Sequence, residues 1–364
     1  MFKIDKKEIN ESVSPYLIAE IGVNHNGSIN IAKKLIDYAN KAGFDAVKFQ
    51  TYNVDGLLKK NTPSTKYQRK KSKIKNMYDL LKKYRFTYDE FKKIKNYCEK
   101  KQITFLSTPF DLESAKFLNQ INVKAFKISS SDNDNYILLD LIKKFKKPLI
   151  LSTGMSTNYE IDKTIKYLSL KRDRLALLHC VSDYPTKLSE TQLYNIINLK
   201  KYGYCFGLSD HSLGIYSSIV AISLGSKIIE KHITLDKNMN GPDHSSSLEI
   251  SKLNYYVDKI KNISQSLIQK EKFLTKDEIL NKNLAKKSLY FINQLKKNDK
   301  IKKKDIVALR PRLNGITPDK FREILGKKVT KDISPMEIII KDKIKNWKKL
   351  IFVHLQLLDL ILDY

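Results

Sequence analysis

Eight short apolar segments, each followed by a longer amphipathic stretch, constrain the fold of this chain more than any other feature. They span 16–22, 46–51, 103–109, 125–130, 149–153, 175–180, 205–210 and 227–233. Short apolar runs predict β-strands, and the stretches between them have helical spacing. Eight strand–helix units within about 270 residues predict a (β/α)₈ TIM barrel. No GxGxxG sequence follows the first segment, which argues against an open dinucleotide-binding sheet.

Polar residues alternate with apolar residues inside these segments. Lys48 and Gln50 share one face of their segment, while Val47 and Phe49 share the other. The same alternation applies to Glu20, Lys127, Glu230 and His232. In a barrel, we expect the apolar face to meet the helices and the charged face to point into the mouth. A buried lysine is costly unless an anion meets it, and the alternative is that both lysines lie on the surface.

The carboxyl ends of the strands carry the functional groups in a barrel of this kind. Here the ends carry Glu20, Lys48, Gln50, Thr108, Lys127, Ser130, Ser152, Thr153, His179, Ser209, His211, Glu230 and His232. Two lysines, several hydroxyls and the turn STGMST favour a small ligand that bears phosphate and carboxylate. We expect His179, and His25 in the segment NHNG, to be structural.

His211 directly follows the seventh segment, and His232 is the penultimate residue of the eighth. Neighbouring strands lie about 5 Å apart, so the two neutral imidazoles can share one divalent cation and leave positions open for water and substrate. The alternative is a pair of histidines hydrogen-bonded to Asp210 and Glu230. The spacing alone favours neither.

The pattern changes after the last of the eight segments. A polar loop precedes an amphipathic stretch over 251–270, and short strands and turns begin near Lys287. The predicted organisation is a barrel over 1–272, a linker over 273–282, a small mostly-β domain over 283–341 and a tail of unassigned role over 342–364.

The sequence carries 68 lysines and arginines against 39 acidic residues, a formal net charge of +29. Clustered basic residues are typical of nucleic-acid-binding proteins, but here the lysines are spread along the chain, which favours solvated helix faces. The densest patch, 67–75, is either solvated in the same way or steers an anionic substrate. We expect no nucleic-acid partner, and steep salt-dependent binding to DNA or RNA would revive that alternative.

The cysteine spacing and the hydropathy of the chain indicate the cellular compartment in which we expect the protein. Cys98, Cys180 and Cys205 lie far apart without CxxC spacing, which argues against a disulfide framework or a zinc knuckle. Polar residues interrupt the longest apolar run, 350–362, and the amino terminus lacks the apolar core of an export signal. We expect a cytoplasmic protein without a membrane partner.

A series of motifs resembles one known family. In order they are IAEIGVNHNGSINIAKKLIDYANKAGFDAVKFQTY, FLSTPFD, FKISSSDNDNY, LILSTGMST, LLHCVSDYPT, GLSDHSLG and EKHITLDKNMNGPDHSSSLE. Together they resemble the sialic acid (N-acetylneuraminate) synthase family, from about Tyr16 to Asp332. The resemblance implies condensation of phosphoenolpyruvate with an N-acetylmannosamine-type sugar. It also implies a C-terminal antifreeze-like (SAF, β-clip) domain and a domain-swapped homodimer.

The resemblance implies roles for individual residues. Phosphoenolpyruvate would be held by Lys48, Thr108, Lys127, Ser130, Ser152 and Ser209. A divalent metal, Mn²⁺ or Mg²⁺, would be held by His211 and His232. The acceptor sugar would be contacted by Glu20, Gln50, Asp132, Tyr184 and Asp243. An arginine of the small domain would reach the sugar of a partner subunit, and in the turn LRPRLNG, one residue longer than the family's, it is Arg310 or alternatively Arg312.

Some features depart from the family pattern or leave the function open. KISSSD carries serines where the family commonly has glycines and Asp132 where many bacterial members have glutamate, and Ser182 replaces an asparagine of some members. The acceptor is N-acetylmannosamine, its 6-phosphate, or the diacetylated 6-deoxy sugar that leads to legionaminic acid. The YQ-containing loop at 67–68 resembles the legionaminate branch. The alternative within enzymes is an aldolase, in which Lys127 forms a Schiff base or the metal binds an enediolate.

Overall fold

The computed structural model describes residues 1–10, 13–64, 74, 76–268 and 271–347. The basic patch over 67–75, except Ile74, the YQ-containing loop and most of the predicted tail lie outside the described residues. Contacts divide the chain into two compact units, Met1–Lys270 and Glu271–Tyr364.

Eight parallel strands form the centre of the first unit. The strands of the whole chain are β1 (Phe2–Ile4), β2 (Lys7–Ile9), β3 (Tyr16–Gly22), β4 (Ala46–Thr51), β5 (Thr104–Pro109), β6 (Phe126–Ile128), β7 (Leu149–Ser152), β8 (Leu175–Cys180), β9 (Cys205–Asp210), β10 (Ile228–Thr234), β11 (Leu248–Glu249), β12 (Ser288–Phe291) and β13 (Ile306–Leu309). The strand order is β5-β4-β3-β10-β9-β8-β7-β6, and β5 lies beside β6. All eight predicted strands are present, so the (β/α)₈ barrel is confirmed.

Helices follow the barrel strands. They are α1 (Ile29–Ala42), α2 (Val54–Leu57), α3 (Met77–Tyr84), α4 (Tyr88–Lys100), α5 (Leu112–Gln120), α6 (Tyr136–Lys144), α7 (Asn158–Leu168), α8 (Asn195–Leu199), α9 (Tyr216–Ser223), α10 (Leu253–Ser266), α11 (Lys276–Ala285) and α12 (Phe321–Ile324). Side-chain caps explain several starts: Thr87 and Glu90 form a capping box that begins α4. None of the helices in the described part of the chain is long and apolar enough to cross a membrane.

The apolar residues of the barrel unit form two layers. The predicted outward residues, such as Val47 and Phe49, pack with the helices in one core. Inside the barrel, a second cluster joins Ile18, Leu106 and Leu178 to residues of β1 and β2. The interior is therefore apolar at its amino-terminal end and polar only toward the carboxyl ends of the strands. Neither this apolar layer nor the β1–β2 hairpin that packs against it was predicted from the sequence.

The second unit is small and has its own core. The antiparallel pair β12–β13 packs with later segments around Leu289, Phe291, Ile301 and Ile339, all buried. A small mostly-β domain was predicted here and is present. Helix α11 occupies most of the predicted linker, and it begins at a capping box formed by Thr275 and Glu278.

Candidate active site

A cavity of about 450 Å³ opens at the carboxyl ends of the barrel strands. Its polar lining includes most of the residues predicted from the sequence: Glu20, Lys48, Gln50, Thr108, Lys127, Ser130, Ser152, Tyr184, Ser209, His211 and His232. The parallel strands bring these side chains together because residues of the same parity face the barrel interior. Residues from all eight strands or the loops that follow them therefore meet in one space.

Two buried lysines alternate with two buried glutamates in this cavity. Lys48 Nζ lies 2.7 Å from Glu20 Oε2 and 3.7 Å from Glu230 Oε1, and Lys127 Nζ lies 3.9 Å from the same Glu230 oxygen. Both lysines are less than 5% exposed, so the alternative of surface lysines is wrong. Glu230 stood among the strand-end residues of the sequence but received no role there. It lies within 4 Å of both ammonium groups, so this one carboxylate partly offsets the charge of each lysine.

The environments of the two glutamates drive their pKa values apart. Burial, together with the charge of Glu230, raises the pKa of Glu20 to about 7, although Lys48 opposes the rise. Burial also disfavours charge on Glu230, but Lys127 and Lys48 outweigh it and hold its pKa below the ordinary value. Two carboxyls with separated pKa values are typical of acid–base sites. Glu20 is thus the carboxyl that can exchange a proton near neutral pH.

The lysines have different proton affinities. Burial disfavours the charge of Lys48, but the two neighbouring glutamates outweigh it and raise its pKa above the ordinary value. Burial lowers the pKa of Lys127 more than Glu230 restores it. An incoming anion would replace lost hydration at Lys127 and stabilise its charged form.

Hydroxyl groups hold both lysine ammonium groups. Lys48 Nζ donates to Thr108 Oγ1 at 3.1 Å, and Lys127 Nζ donates to Ser152 Oγ at 2.6 Å. Ser209 Oγ donates to Glu230 Oε1 at 2.9 Å, and Ser130 Oγ accepts from the Gly154 backbone N–H at 3.0 Å. Ammonium and hydroxyl groups converge on one region, which is an arrangement that recognises phosphate or carboxylate oxygens.

The imidazoles of His211 and His232 are buried neighbours in the lining of the same cavity, with their rings in an edge-on arrangement. Their ring centroids are 5.5 Å apart. His211 Nδ1 lies 2.8 Å from the Val181 carbonyl oxygen; since a carbonyl only accepts, Nδ1 carries the proton and Nε2 keeps its lone pair. His232 Nδ1 is buried without a hydrogen-bond partner, and Asp243 Oδ2 lies 3.9 Å away. Within the described residues, neither imidazole is hydrogen-bonded to Asp210 or Glu230, the partners of the alternative interpretation.

The surroundings shift the pKa values of the two imidazoles in opposite directions. Burial and the nearby charge of His211 lower the pKa of His232 well below its ordinary value, so His232 is neutral. Burial acts in the same direction on His211, but Cys180 outweighs it and raises the pKa of His211. Among the described residues, no group of three or more His, Cys, Asp or Glu side chains is arranged to hold a metal. A cation at this site would have two imidazole ligands and would take its other ligands from water or substrate.

The end of β8 brings a cysteine into the cavity. His179 stood among the strand-end residues but was expected to be structural, and its ring nitrogen bonds to the Thr191 carbonyl at 2.8 Å, outside the barrel. The next residue, Cys180, faces the cavity and lies 3.7 Å from His211 Nδ1. The parity of β8 explains this, because Ala176 and Leu178 pack inside the barrel. Counting parity from those apolar residues would have selected Cys180.

The residues predicted to contact an acceptor divide into three groups. Gln50 Nε2 lies 3.3 Å from Glu20 Oε1, and the Tyr184 ring packs against His211 at 4.1 Å. Asp243 lines a smaller adjoining cavity of about 80 Å³, which Gln50, Tyr184 and His232 also line. Burial raises the pKa of Asp243 to about 6. Asp132 is absent from the lining of both cavities, and its carboxylate instead accepts hydrogen bonds from Ser129, Ser131 and Asn135.

An apolar wall was not predicted. The cavity is also lined by four apolar residues from α2, the residue after it and α3: Leu57, Leu58, Met77 and Leu81. No periodic signal in the sequence distinguishes these residues from the core residues of short helices.

The two candidate arginines lie in the second unit. Arg310 follows β13 and is exposed. The side chain of Arg312 is half-buried, and its Nε donates to the Lys287 carbonyl at 3.2 Å. The Arg310 guanidinium is therefore the more accessible of the two.

Comparison with known proteins identifies the family. A model described as the NeuB family matches residues 35–272, and a SAF domain model matches residues 286–345. The chain belongs to the NeuB family. The resemblance predicted from the motifs, including the SAF domain, is therefore confirmed, and the chain is a synthase of the sialic, legionaminic and pseudaminic acid type.

Individual relatives extend over nearly the whole chain. An N,N'-diacetyllegionaminic acid synthase of Campylobacter jejuni is 38% identical over 89% of this chain and 98% of its own length. A pseudaminic acid synthase of the same species is 33% identical over 91% of this chain and 95% of its own length. The crystal structure of an N-acetylneuraminic acid synthetase from Leptospira borgpetersenii has a TM-score of 0.69 and 32% identity. It covers 77% of this chain and 94% of that one.

Proposed function

We propose that this chain condenses phosphoenolpyruvate with N-acetylmannosamine or a close analogue and water, giving a nonulosonic acid and inorganic phosphate. The proposal rests on the burial of Lys48 and Lys127 in the cavity lining, where each ammonium group donates a hydrogen bond to a hydroxyl group. Glu230 lies beside both ammonium groups, but Glu20, the other carboxyl at Lys48, has a pKa raised to about 7, so a bound anion would balance the positive charge that remains. Phosphoenolpyruvate supplies two anionic groups of suitable size, its phosphate and its carboxylate.

The proposed reaction has an order of bond changes in which particular residues take part. C3 of phosphoenolpyruvate bonds to the aldehyde carbon of the open-chain sugar, the C=O electron pair moves to the aldehyde oxygen, and positive charge develops at C2. A water molecule adds at C2, and the proton it loses balances the proton that the former aldehyde oxygen takes up to become a hydroxyl. The bond between C2 and the phosphate oxygen then breaks with its electron pair leaving on phosphate, while the new C2 hydroxyl gives up its proton and becomes the ketone oxygen. Lys48 and Lys127 neutralise the donor anions. Glu20, with its pKa near 7, orients or deprotonates the reacting hydroxyl or water.

His211 and His232 fit a divalent cation such as Mn²⁺ or Mg²⁺. His232 is neutral, and because His211 Nδ1 is held by a backbone carbonyl, Nε2, which lies 3.5 Å from Ser209 Oγ, is the nitrogen that would bind a metal. When bound, such a cation polarises a carbonyl oxygen and stabilises the negative charge that develops on it. Tyr184, packed against His211, limits the access of water to this side of the cavity.

Chelation is expected to abolish turnover. Exhaustive treatment with EDTA removes a cation held by only two protein ligands, and phosphate release should fall to background and return on addition of Mn²⁺ or Mg²⁺. The measurement is phosphate release at saturating substrates, with exposed Lys116→Ala as a control variant that should respond like the wild type. Full activity after chelation would contradict the metal assignment.

A panel of candidate sugars is expected to identify the acceptor of this enzyme. N-Acetylmannosamine, its 6-phosphate and the diacetylated 6-deoxy sugar are compared by phosphate release with phosphoenolpyruvate fixed. The diacetylated 6-deoxy sugar is the second candidate, because an apolar wall of Leu57, Leu58, Met77 and Leu81 suits a methyl group and because a relative named for diacetyllegionaminic acid is 38% identical. Release with none of the three sugars would overturn the proposed function.

We further propose that the protein is a domain-swapped homodimer in which Arg310 contacts the sugar held by the partner subunit. Mixing Arg310→Ala chains with His211→Ala chains should restore about a quarter of the wild-type sites, since half of random dimers are mixed and each has one intact site of two. The measurement is phosphate release after subunit exchange, with mixed dimers verified by two affinity tags. No recovery above the single variants would place Arg310 in its own subunit or transfer the role to Arg312.

A further inference from the structure

A buried ion pair lies directly behind the two imidazoles. Lys231 precedes His232 on β10, Asp210 precedes His211 at the end of β9, and the strand register places Lys231 beside Asp210. Lys231 Nζ lies 2.8 Å from Asp210 Oδ2, and both side chains are 1% exposed. Because successive strand residues point to opposite faces, this pair faces the helix layer while the imidazoles face the cavity.

The ion pair holds both residues that flank His211. Asp210 Oδ1 accepts from the backbone N–H of Ser212 at 2.9 Å and from its hydroxyl at 2.7 Å. Lys231 Nζ also donates to the Ser212 carbonyl oxygen. The turn that carries His211 is thus closed on itself by Asp210 and tied to the neighbouring strand by Lys231.

Two further contacts anchor this pair to the helix layer. Ser218 Oγ, from α9, donates to Asp210 Oδ2 at 2.8 Å, and it also lies 2.7 Å from the hydroxyl of Tyr256 on α10. Both carboxylate oxygens of Asp210 therefore have partners: Oδ1 bonds to Ser212 of its own turn, and Oδ2 bonds to Lys231 of β10 and Ser218 of α9. Its orientation is fixed from three directions.

Stability alone does not explain an ion pair at this position. The other outward residues of β10, Ile229 and Ile233, are fully buried and apolar. A buried ion pair is often no more stabilising than apolar residues of similar volume, because both charges lose their hydration. What an ion pair adds over an apolar contact is direction, since its hydrogen bonds fix the orientation of the groups that it joins.

We propose that Asp210 and Lys231 are positioning residues that set the separation and orientation of His211 and His232, and with them the affinity of the site for a divalent cation. The inference rests on the proposed function for the role of the cation, but its geometric part stands independently. Neither residue lines the cavity, so neither touches a substrate there.

The test compares four variants of the full chain. Lys231→Gln breaks the ion pair, and Lys231→Arg keeps the charge. The double variant Asp210→Asn with Lys231→Gln leaves no unpaired buried charge, so it keeps the test open if the single variant fails to fold. Lys7→Gln is the control for loss of a lysine–aspartate ion pair elsewhere, because it removes the partly exposed pair with Asp45, far along the chain from either imidazole.

Two measurements are made on each folded variant. The first is Mn²⁺ affinity, read by electron paramagnetic resonance of free Mn²⁺, and the second is the separation of the two ring centroids in metal-free crystals, 5.5 Å here. Lys231→Gln and the double variant should bind Mn²⁺ about tenfold more weakly or worse, with the rings displaced by about 1 Å or more. Lys231→Arg should recover most of the affinity, and Lys7→Gln should match the wild type.

The outcomes separate this inference from the proposed function. Unchanged ring positions and unchanged Mn²⁺ affinity in Lys231→Gln or in the double variant would overturn the inference. Loss of affinity that Lys231→Arg does not restore would overturn it as well. If the wild type binds no Mn²⁺, the metal assignment of the proposed function fails, and the ring positions alone decide the inference.

Discussion

Lys127→Ala is expected to raise the phosphoenolpyruvate KM at least about tenfold and to lower kcat/KM for this substrate about 100-fold or more. The ammonium group is buried and bonded to Ser152 Oγ, so its removal deletes a charge-assisted contact to the donor anion. It also leaves the carboxylate of Glu230, 3.9 Å away, with one less cation beside the incoming phosphate. The KM for the sugar should change much less.

Initial rates of phosphate release, with each substrate varied in turn, check this expectation. Lys116→Ala is the control, since Lys116 lies exposed on α5. An equal rise in both KM values would contradict the assignment of Lys127 to the donor. Borohydride trapping of a covalent adduct on wild-type Lys127, lost in the variant, would favour the aldolase alternative instead.

The barrel was predictable because its pattern is repeated eight times. Each predicted strand combines an apolar face with a polar carboxyl end, as in β4, where Val47 and Phe49 alternate with Lys48 and Gln50. The apolar residues pack against the helix layer, and the polar residues line the cavity. Parity within a strand then places the side chains, which is why Lys48 and Lys127 were predicted to point inward and do.

Sequence reasoning failed where position depends on tertiary packing alone. The residues of β1 and β2 carry no signal that they pack beneath the barrel, since a three-residue strand is too short to show periodicity. Cys180 received no role from the sequence, although it shares the inward parity of Ala176 and Leu178 in β8 and lines the cavity.

The charge of Glu20 likewise depends on neighbours that are remote in sequence. Lys48 and Glu230, which act on it in opposite directions, lie on the strands at either side of β3. The sequence indicates that these three residues point inward, but it does not give the distances that decide which effect is larger. Those distances come from the strand register.

Glu20→Gln is expected to lower kcat by about 100-fold or more and to remove an acidic limb from the pH–rate profile. The sign follows from the pKa of Glu20, which burial raises to about 7. The carboxyl is neutral below that pH and ionised above it, so a base at this position loses activity as the pH falls through 7, about tenfold for each further pH unit.

The glutamine variant keeps the size of the side chain and a carbonyl oxygen that can accept from Gln50, so a change in the profile reports the lost ionisation. The measurement is phosphate release between pH 5 and 9 at saturating metal and substrates, in buffers that do not chelate metal.

Gln50→Leu is the comparison variant, because it removes the 3.3 Å contact to Glu20 Oε1 while the carboxyl stays. It should keep the limb even if its rate is lower. A limb with an unchanged midpoint in Glu20→Gln would show that another group supplies the base, and Glu20 would then serve only to hold Lys48 in place at 2.7 Å.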